Sequence, residues 1–392
     1  MKSIEEIDLK SKKVLIRADL NVPFAEDGSI SDDHRIKASL KTIDYVLKNG
    51  GAAVVSSHLG QPKGADPKFS LKPVAKRLGE LLGVAATIAP DSVGEEVEKM
   101  AASLSAGELL VLENTRFHPE EKKNAPEHAE KLAKLADVYI NDAFASDHRS
   151  HASTVGVASH FNSDSKGAGF TLMKEIEFFS KATTSPARPL IAVFGGAKVS
   201  TKMTAIRNVA KLADAVIVGG AMANTFFAAE GLNIGKSLYE EEQAQAAKEA
   251  LEFAAQNDCK LILPTDVIVA EEFSATSPQR ACAIDQIKDA EMALDIGPES
   301  IAAFSKALEE AKTIVWNGPM GAFEMEPFSK GTYAIVDALV ASSALTVVGG
   351  GDTDLALTRR QAMDKMDYVS TGGGAFLHLL EGKELPGVSA LS

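Results

Sequence analysis

Cysteine is nearly missing from this chain, with two residues, Cys259 and Cys282, in 392. Two thiols build neither a disulfide scaffold nor a metal-ligand spacing, so a reducing compartment is expected. Aromatics are sparse at 6%, with one tryptophan, Trp316. Long apolar runs are missing too. No uncharged stretch approaches the ~18 residues a membrane-spanning helix needs. The start, Met1-Lys2-Ser3-Ile4-Glu5-Glu6, has no apolar signal region. A soluble, cytoplasmic protein without membrane contact is expected. Positive charge is short as well: 41 basic residues face 54 acidic ones, for a net charge of −13. That argues against nucleic acid or an anionic membrane as partner. An anion handled by such a chain needs a local cluster of cations, and Arg17, Arg35, Arg116 and Arg149 are the candidates. The Gly-x4-Gly-Lys-Ser/Thr loop and the Gly-x-Gly-x-x-Gly fingerprint are both absent. So is a Gly-x-Ser-x-Gly elbow, which removes a Ser-His-Asp hydrolase.

Short apolar runs that end abruptly are plentiful. Nine close in glycine or a polar cluster: Ser57-His58-Leu59-Gly60, Asn114-Thr115-Arg116, Asn141-Asp142-Ala143-Phe144, Gly195-Gly196-Ala197-Lys198, Gly219-Gly220-Ala221, Pro264-Thr265-Asp266, Trp316-Asn317-Gly318-Pro319, Gly349-Gly350-Gly351-Asp352 and Ser370-Thr371-Gly372-Gly373-Gly374. Buried parallel strands read as continuous apolar runs, and open α/β sheets bind ligands beyond the carboxyl ends of their strands. Endings before residue 150 carry arginine and histidine. Those after residue 190 carry glycine, lysine and carboxylates. Two sheets with two different ligands are expected.

The alternation supports this. Strands are expected at Val14–Ile16, Ala52–Val55, Leu109–Leu112 and Val138–Ile140, with helices between them. Asp32 or Asp33 is suited to cap a helix that Gly50-Gly51 ends, and Ser70 to cap the next. A helical stretch near Phe170–Lys181 precedes Thr183-Thr184-Ser185-Pro186, the best boundary. A second series follows at Leu190–Phe194, Ala215–Val218, Lys260–Leu263, Thr313–Trp316, Leu345–Val348 and Tyr368–Ser370.

Individual motifs admit two readings. Lys198 and Lys202, four apart after Gly195-Gly196, would share a helix face and grip a polyphosphate at a helix start. A glycine turn followed by solvated lysines fits as well. Asp352 suits Mg²⁺ or a plain N-cap. Glu324, in a glycine-rich loop, suits ribose hydroxyls or solvent. Each arginine near a strand end is an anion ligand or a surface ion pair. His148, Arg149 and His151 read as a dense cationic patch, and His118 and His128 as solvated. Three glycine runs at strand ends in one half favour a single nucleotide site over three unrelated turns.

Taken in order, these motifs resemble phosphoglycerate kinase nearly end to end. The resemblance rests on Arg17-x-Asp19-x-Asn21-Val22-Pro23, Ser57-His58-Leu59-Gly60, Glu113-Asn114-Thr115-Arg116-Phe117, Asn141-Asp142-Ala143-Phe144 and His148-Arg149-x-His151-Ala152-Ser153-Thr154. It continues through Gly195-Gly196-Ala197-Lys198-Val199, Trp316-Asn317-Gly318-Pro319-Met320-Gly321, Gly349-Gly350-Gly351-Asp352-Thr353 and Ser370-Thr371-Gly372-Gly373-Gly374.

The resemblance implies two Rossmann-like parallel-sheet domains, each a three-layer αβα stack, joined by an interdomain helix. It implies a phosphoglycerate domain over 1–168, a linking helix over 169–185, a nucleotide domain over 186–379, and a tail, 380–392, returning to the first domain. The implied activity is reversible, Mg²⁺-dependent transfer of the acyl phosphate of 1,3-bisphosphoglycerate to ADP, giving 3-phosphoglycerate and ATP, in a monomer that closes its domains. Asp19, Leu20, Asn21, Arg35, His58, Leu59, Gly60, Gln61, Arg116 and Arg149 would bind the phosphoglycerate. Gly196, Lys198, Lys202, Gly219, Gly220, Asn317, Pro319, Glu324, Gly350, Gly351, Asp352 and Thr353 would bind nucleotide, with Asp352 on the metal. Arg35, Lys198, Gly372 and Gly373 would face the transferred phosphoryl.

Four positions depart from the family pattern. Gln61 stands where arginine is usual, making one phosphate contact neutral. Asp147 would place a negative charge beside the anion site. Phe376 and His378 replace residues usually small and acidic. A weakened relative serving as a binding protein, and a nicotinamide dehydrogenase on a similar fold, are the competing readings. The retained Lys198, Lys202, Asp352, Arg35 and Arg149 argue against the first, and the missing fingerprint against the second.

Overall fold

In a computed structural model describing residues 1–392, the apolar runs become the central strands of two six-stranded parallel sheets. The first sheet comprises β1 (Lys13–Ala18), β2 (Ala52–Ser56), β3 (Ala86–Ile88), β4 (Leu109–Val111), β5 (Val138–Asp142) and β6 (Lys166–Ala168), in the order β3-β4-β2-β1-β5-β6. The second contains β7 (Leu190–Phe194), β8 (Ala215–Val218), β9 (Lys260–Ile262), β13 (Thr313–Asn317), β14 (Leu345–Gly349) and β15 (Tyr368–Ser370), in the order β15-β14-β13-β7-β8-β9. Its strands, counted in chain order, run 3-2-1-4-5-6, the arrangement of dinucleotide-binding sheets. The expected α/β class therefore holds, and all nine abrupt endings fall at the carboxyl ends of parallel strands.

The chain divides into two compact units, Met1–Ile176 with Glu384–Ser392, and Glu177–Lys383. In the first, α1 (His34–Lys48), α2 (Lys72–Leu82), α3 (Glu95–Ser103) and α4 (Pro126–Ala133) separate the strands. Ile36, Ile43 and Val46 of α1 and Val74 and Leu78 of α2 pack on Val14, Ile16 and Val55 of the sheet. The helix starts differ from expectation in detail. Asp32, not Asp33, accepts the N–H of His34 (2.8 Å), while Asp33 binds Arg77 and Lys37. Ser70 precedes the cap position but still accepts the N–H of Lys72 at 3.2 Å.

The helix α5 (Phe170–Thr183) starts in the first unit and ends in the second. The second unit adds α6 (Met203–Val209), α7 (Met222–Ala229), α8 (Ala244–Gln256), α9 (Pro298–Glu309), α10 (Lys330–Ala341), α11 (Gly351–Arg359) and α12 (Gly373–Leu380). Its core gathers Val193, Ile217, Ile314, Trp316 and Val348 of the strands with Phe304, Leu308, Ile335 and Leu357 of the helices. A short α13 (Pro386–Ser389) lies in the terminal segment of the first unit.

The sequence did not announce an additional antiparallel sheet, β10 (Asp266–Ala270), β11 (Gln279–Ala283) and β12 (Met292–Ile296), in the order β11-β10-β12. Asp266, read as the end of a run, instead begins β10. Its carboxylate accepts the N–H groups of Glu299 (3.0 Å) and Ser300 (2.7 Å), satisfying orphan donors at the start of α9. No helix in the structure is long and apolar enough to cross a membrane.

Candidate active site

In the first unit the sheet order reverses between β1 and β5, and the loops beyond these strands are tied together. Asp19 follows β1 and accepts from Arg35 Nη1 of α1 at 2.8 Å. The Leu20 N–H donates to Ser57 Oγ (2.9 Å), and the Gly60 N–H to Asn21 Oδ1 (2.8 Å). The Asn114 side chain bridges the next loop, accepting from the Leu59 N–H (3.2 Å) and donating to its carbonyl oxygen (2.7 Å). Arg116 Nη1 donates to the Gly60 carbonyl at 2.8 Å. Arg149, beyond β5, is exposed, and its Nε donates to His148. Of the ten residues expected to bind one anion, Asp19, Leu20, Asn21, Leu59, Gly60 and Arg116 are tied together in loops after β1, β2 and β4, with Arg35 joined to them from α1.

His58 and His151 are not the cations that residue type suggested. Burial first, then Arg17, Arg116 and Arg149, drives His151 down to about 3. Burial and Arg17 hold His58 well below its ordinary value. Arg116 falls to about 10 through burial and its arginine neighbours, which still leaves it charged at neutral pH. The charge of this site belongs to its arginines. His128 is likewise not solvated but buried, and its imidazole falls to about 4.

One of the departures also needs correction. Asp147 does not face the anion site. It is fully buried, accepting from Asn141 Nδ2 at 2.8 Å beneath Gly387 of the terminal segment. Gln61 keeps its neutral amide, and its Oε1 accepts from Lys122 Nζ at 2.6 Å.

In the second unit the order reverses between β7 and β13, and the glycine loops beyond them are joined by backbone bonds. Gly195 N–H donates to Asn317 O (3.1 Å), Gly196 N–H to Pro319 O (2.8 Å) and Gly220 N–H to Met320 O (3.0 Å). A Cβ on Gly195 would lie 2.1 Å from the Pro319 oxygen, so glycine is required there. Asn317 Nδ2 donates to Gly349 O at 2.7 Å, and Thr353 Oγ1 accepts from the Gly318 N–H at 3.2 Å. A Cβ on Gly349 would meet the Phe376 ring at 2.5 Å. The large side chain at 376 thus fills space that residue 349 leaves open.

The two lysines do not share a helix face, because α6 begins only at Met203. Lys202 Nζ donates instead to the carbonyls of Gly195 (2.7 Å) and Asn317 (3.0 Å), and burial lowers it to about 8. Lys198 is exposed in the glycine loop. Asp352 is exposed in the first turn of α11, whose N-cap is Gly350, and Gly372 is the N-cap of α12. These two helix starts present free N–H groups and positive dipole ends.

A cavity of about 510 Å³ opens beside these loops. Gly196, Gly220, Pro319, Glu324 and Asp352 form part of its rim, and Leu238, Phe273 and Leu294 part of an apolar wall. Residue-level reading missed that wall, since Leu238 and Phe273 are single apolar residues in loops. Both remain largely exposed, at 59% and 66%. It also missed Asp295, a buried carboxylate on the cavity lining that accepts from the Gly331 N–H at 2.8 Å and is raised by burial to about 7. An apolar slot with a glycine-rich rim suits a flat base with an attached polyphosphate. No group of three or more His, Cys, Asp or Glu side chains suited to a metal is present.

Known proteins carry the same pattern. The family model described as phosphoglycerate kinase matches residues 4–383. The phosphoglycerate kinase of Moorella thermoacetica is 50% identical over 391 residues, covering 100% of this chain and 98% of the relative. The cytosolic phosphoglycerate kinase of Triticum aestivum is 49% identical over 392 residues, covering 99% and 97%. The solved phosphoglycerate kinase of Coxiella burnetii superposes with a TM-score of 0.91 at 42% identity, covering 100% of this chain and 98% of that one.

Proposed function

The chain belongs to the phosphoglycerate kinase family and is a glycolytic phosphotransferase with a carboxyl acceptor, and from that premise we propose a role for each site. The first unit holds 3-phosphoglycerate or 1,3-bisphosphoglycerate. The second holds ADP or ATP. In the ATP-forming direction a β-phosphate oxygen of ADP bonds to the acyl phosphorus, the acyl O–P bond breaks, and its electron pair stays on the substrate carboxylate.

Arg35, held by Asp19, and Arg116, held by Gly60, offer guanidiniums to the phosphoglycerate. Asn21, Leu59, Gly60 and Arg149 complete that site, with His58 donating a hydrogen bond. Lys198 and Arg35 stabilise charge on the transferred phosphoryl, aided by N–H groups of Gly372 and Gly373 at the start of α12. The cavity rim of Gly196, Gly220, Pro319 and Glu324 takes the nucleoside. Asp352 is a single exposed carboxylate beside the nucleotide loops, a donor set that suits Mg²⁺, which takes most of its shell from phosphate oxygens and water. When bound there, the ion would neutralise phosphate charge. Transfer needs reacting atoms within about 3–3.5 Å, so this reading requires the units to bring their substrates together. One chain carries both residue sets, which supports a monomer. The relative named cytosolic supports a cytosolic location.

The observation that carries the division is chemical contrast between two hydrogen-bonded loop sets. One presents Arg35 of α1, held by Asp19 after β1, and Arg116 after β4, and the other glycines tied by Lys202 at the ends of β7 and β13. A coupled assay with 3-phosphoglycerate and Mg-ATP, paired with calorimetry, tests it. Arg116→Met should lose 3-phosphoglycerate binding and keep ATP binding, and Asp352→Ala should weaken Mg-ATP alone. Loss of the same ligand in both variants would sink the division.

A further inference from the structure

Arg17 is fully buried and is not among the residues assigned to substrate, yet every nitrogen of its guanidinium is used. Nη1 donates to the Ala18 carbonyl at 2.5 Å. Nε donates to Ser153 Oγ at 2.8 Å. Nη2 lies 3.1 Å from His58 Nδ1 and 3.5 Å from Ser146 Oγ. Ser153 in turn donates its hydroxyl to Glu121 Oε1 at 2.6 Å and its N–H to Oε2 at 2.9 Å. Glu121 is also fully buried. A carboxylate, a hydroxyl, a guanidinium and an imidazole thus form one buried line that ends at His58.

The donor in the last contact is fixed by chemistry. A guanidinium has only N–H donors and stays protonated, so it cannot accept. His58 Nδ1 must therefore accept, and the neutral ring must carry its proton on Nε2, which has no hydrogen-bond partner in the chain. A proton on Nδ1 would set an N–H donor against the guanidinium N–H, and a doubly protonated ring would add a second cation. The groups facing His58 reinforce this from every side: Arg17 from β1, Arg35 from α1, Arg116 from the turn after β4, and His151 from the turn after β5. The carboxylates of the site, Asp19 and Glu121, are already engaged by Arg35 and Ser153.

We propose that Arg17 is a positioning residue that locks His58 as its neutral Nε2–H tautomer, so that His58 offers the bound anion an uncharged donor while the arginines supply the charge. The proposal rests on the assignment of this site to phosphoglycerate, but the tautomer is readable without any ligand. The experiment is nitrogen NMR of the full chain labelled at histidine, with His58→Gln identifying the signal. From about pH 5.5 to 8, across the ordinary imidazole range, Nδ1 should resonate as an unprotonated ring nitrogen and Nε2 as an N–H. Arg17→Met should mix the tautomers and let His58 titrate, whereas Arg17→Lys, which restores a donor, should return the wild-type pattern. A wild-type His58 with its proton on Nδ1, or titrating within that range, would overturn the proposal even if the variants fail to fold. The second readout is the KM for 3-phosphoglycerate in Arg17→Met divided by that of wild type. It should fall as pH drops through ~6.5, where the freed imidazole gains charge. A ratio independent of pH would leave Arg17 a structural residue and overturn the proposal. Failure of 3-phosphoglycerate to bind wild type would sink the site assignment and leave the tautomer to the ligand-free spectrum.

Discussion

Gly387 donates its backbone N–H to the carbonyl oxygen of Asp147 at 3.0 Å, and a Cβ on Gly387 would stand 2.1 Å from Asp147 Oδ1. Asn141 Nδ2 donates to both residues, at 2.8 Å to Asp147 Oδ1 and 3.3 Å to Gly387 O. The aspartate is therefore a seat for the terminal segment. Gly387→Ala should destabilise the protein by about 1–3 kcal/mol, the usual scale of overpacking a closed contact. Urea unfolding gives the measurement, and an unchanged midpoint would refute the close approach.

The same aspartate links stability to pH. Burial raises Asp147 to about 7, against an ordinary value of 3.8. The folded chain then holds a proton that the unfolded chain releases near pH 4. The native state binds more protons between about pH 4 and 7, so its stability falls as pH rises through that window and levels off above it. Asp142 and Asp295, also raised to about 7 by burial, act in the same direction. Asp147→Asn keeps an oxygen for Asn141 but cannot ionise. The loss of stability between pH 5 and 7.5 should be shallower in this variant by roughly 1 kcal/mol or more. Equal slopes in the two proteins would mean that Asp147 is already ionised when folded.

Much of this was legible because the information is local. A buried parallel strand must be apolar along its length, and its carboxyl end must stop where the ligand begins, so the strand ends before Gly195, Gly219 and Ser57 could be read directly. The strands β3 and β6 were illegible for the converse reason. Each has three residues at a sheet edge, and Ala86-Thr87-Ile88 carries no periodicity to detect. Lys198 and Lys202 misled because spacing of four implies a shared face only if the helix has already begun. Asp147 and Asp266 misled because a carboxylate at a strand end is equally suited to solvent, a ligand or a buried N–H. Only the tertiary partners, Gly387 in one case and Ser300 in the other, decide.

Lys122 changes the expectation for position 61. Its ammonium donates to Gln61 Oε1 at 2.6 Å, so a cation already stands beside the neutral amide. Lys122→Met should raise the KM for 3-phosphoglycerate severalfold with little change in kcat, because an exposed charge contributes to binding rather than to the transition state. Gln61→Arg should improve KM little, since it sets a guanidinium against Lys122. A large fall in KM for Gln61→Arg would show that Lys122 does not serve the substrate.

Lys198 and Lys202 divide their work by what already holds them. Lys202 spends its hydrogen bonds on the Gly195 and Asn317 carbonyls, tying the loops after β7 and β13 across the point where the sheet reverses. Lys198 is exposed in the loop between, and its ammonium makes no hydrogen bond. A side chain committed to the protein shapes the ground state, whereas an uncommitted one can meet charge that appears only as the phosphoryl moves. Lys198→Ala should therefore lower kcat by roughly a hundredfold, the scale of one electrostatic stabiliser, while the dissociation constant for ATP changes much less. Lys202→Met leaves the Gly195 carbonyl without a donor and takes one of two donors from the Asn317 carbonyl. It should weaken ATP binding and lower the unfolding midpoint together, because the same contacts support both. Raising the pH through about 8, where Lys202 loses its proton, should not reproduce the Lys202→Met defect, since a neutral amine still donates to both carbonyls. Steady-state kinetics, ATP calorimetry and urea unfolding on the two variants decide the matter. If Lys198→Ala chiefly weakens ATP binding, or Lys202→Met lowers kcat with binding and stability intact, the division of roles is wrong.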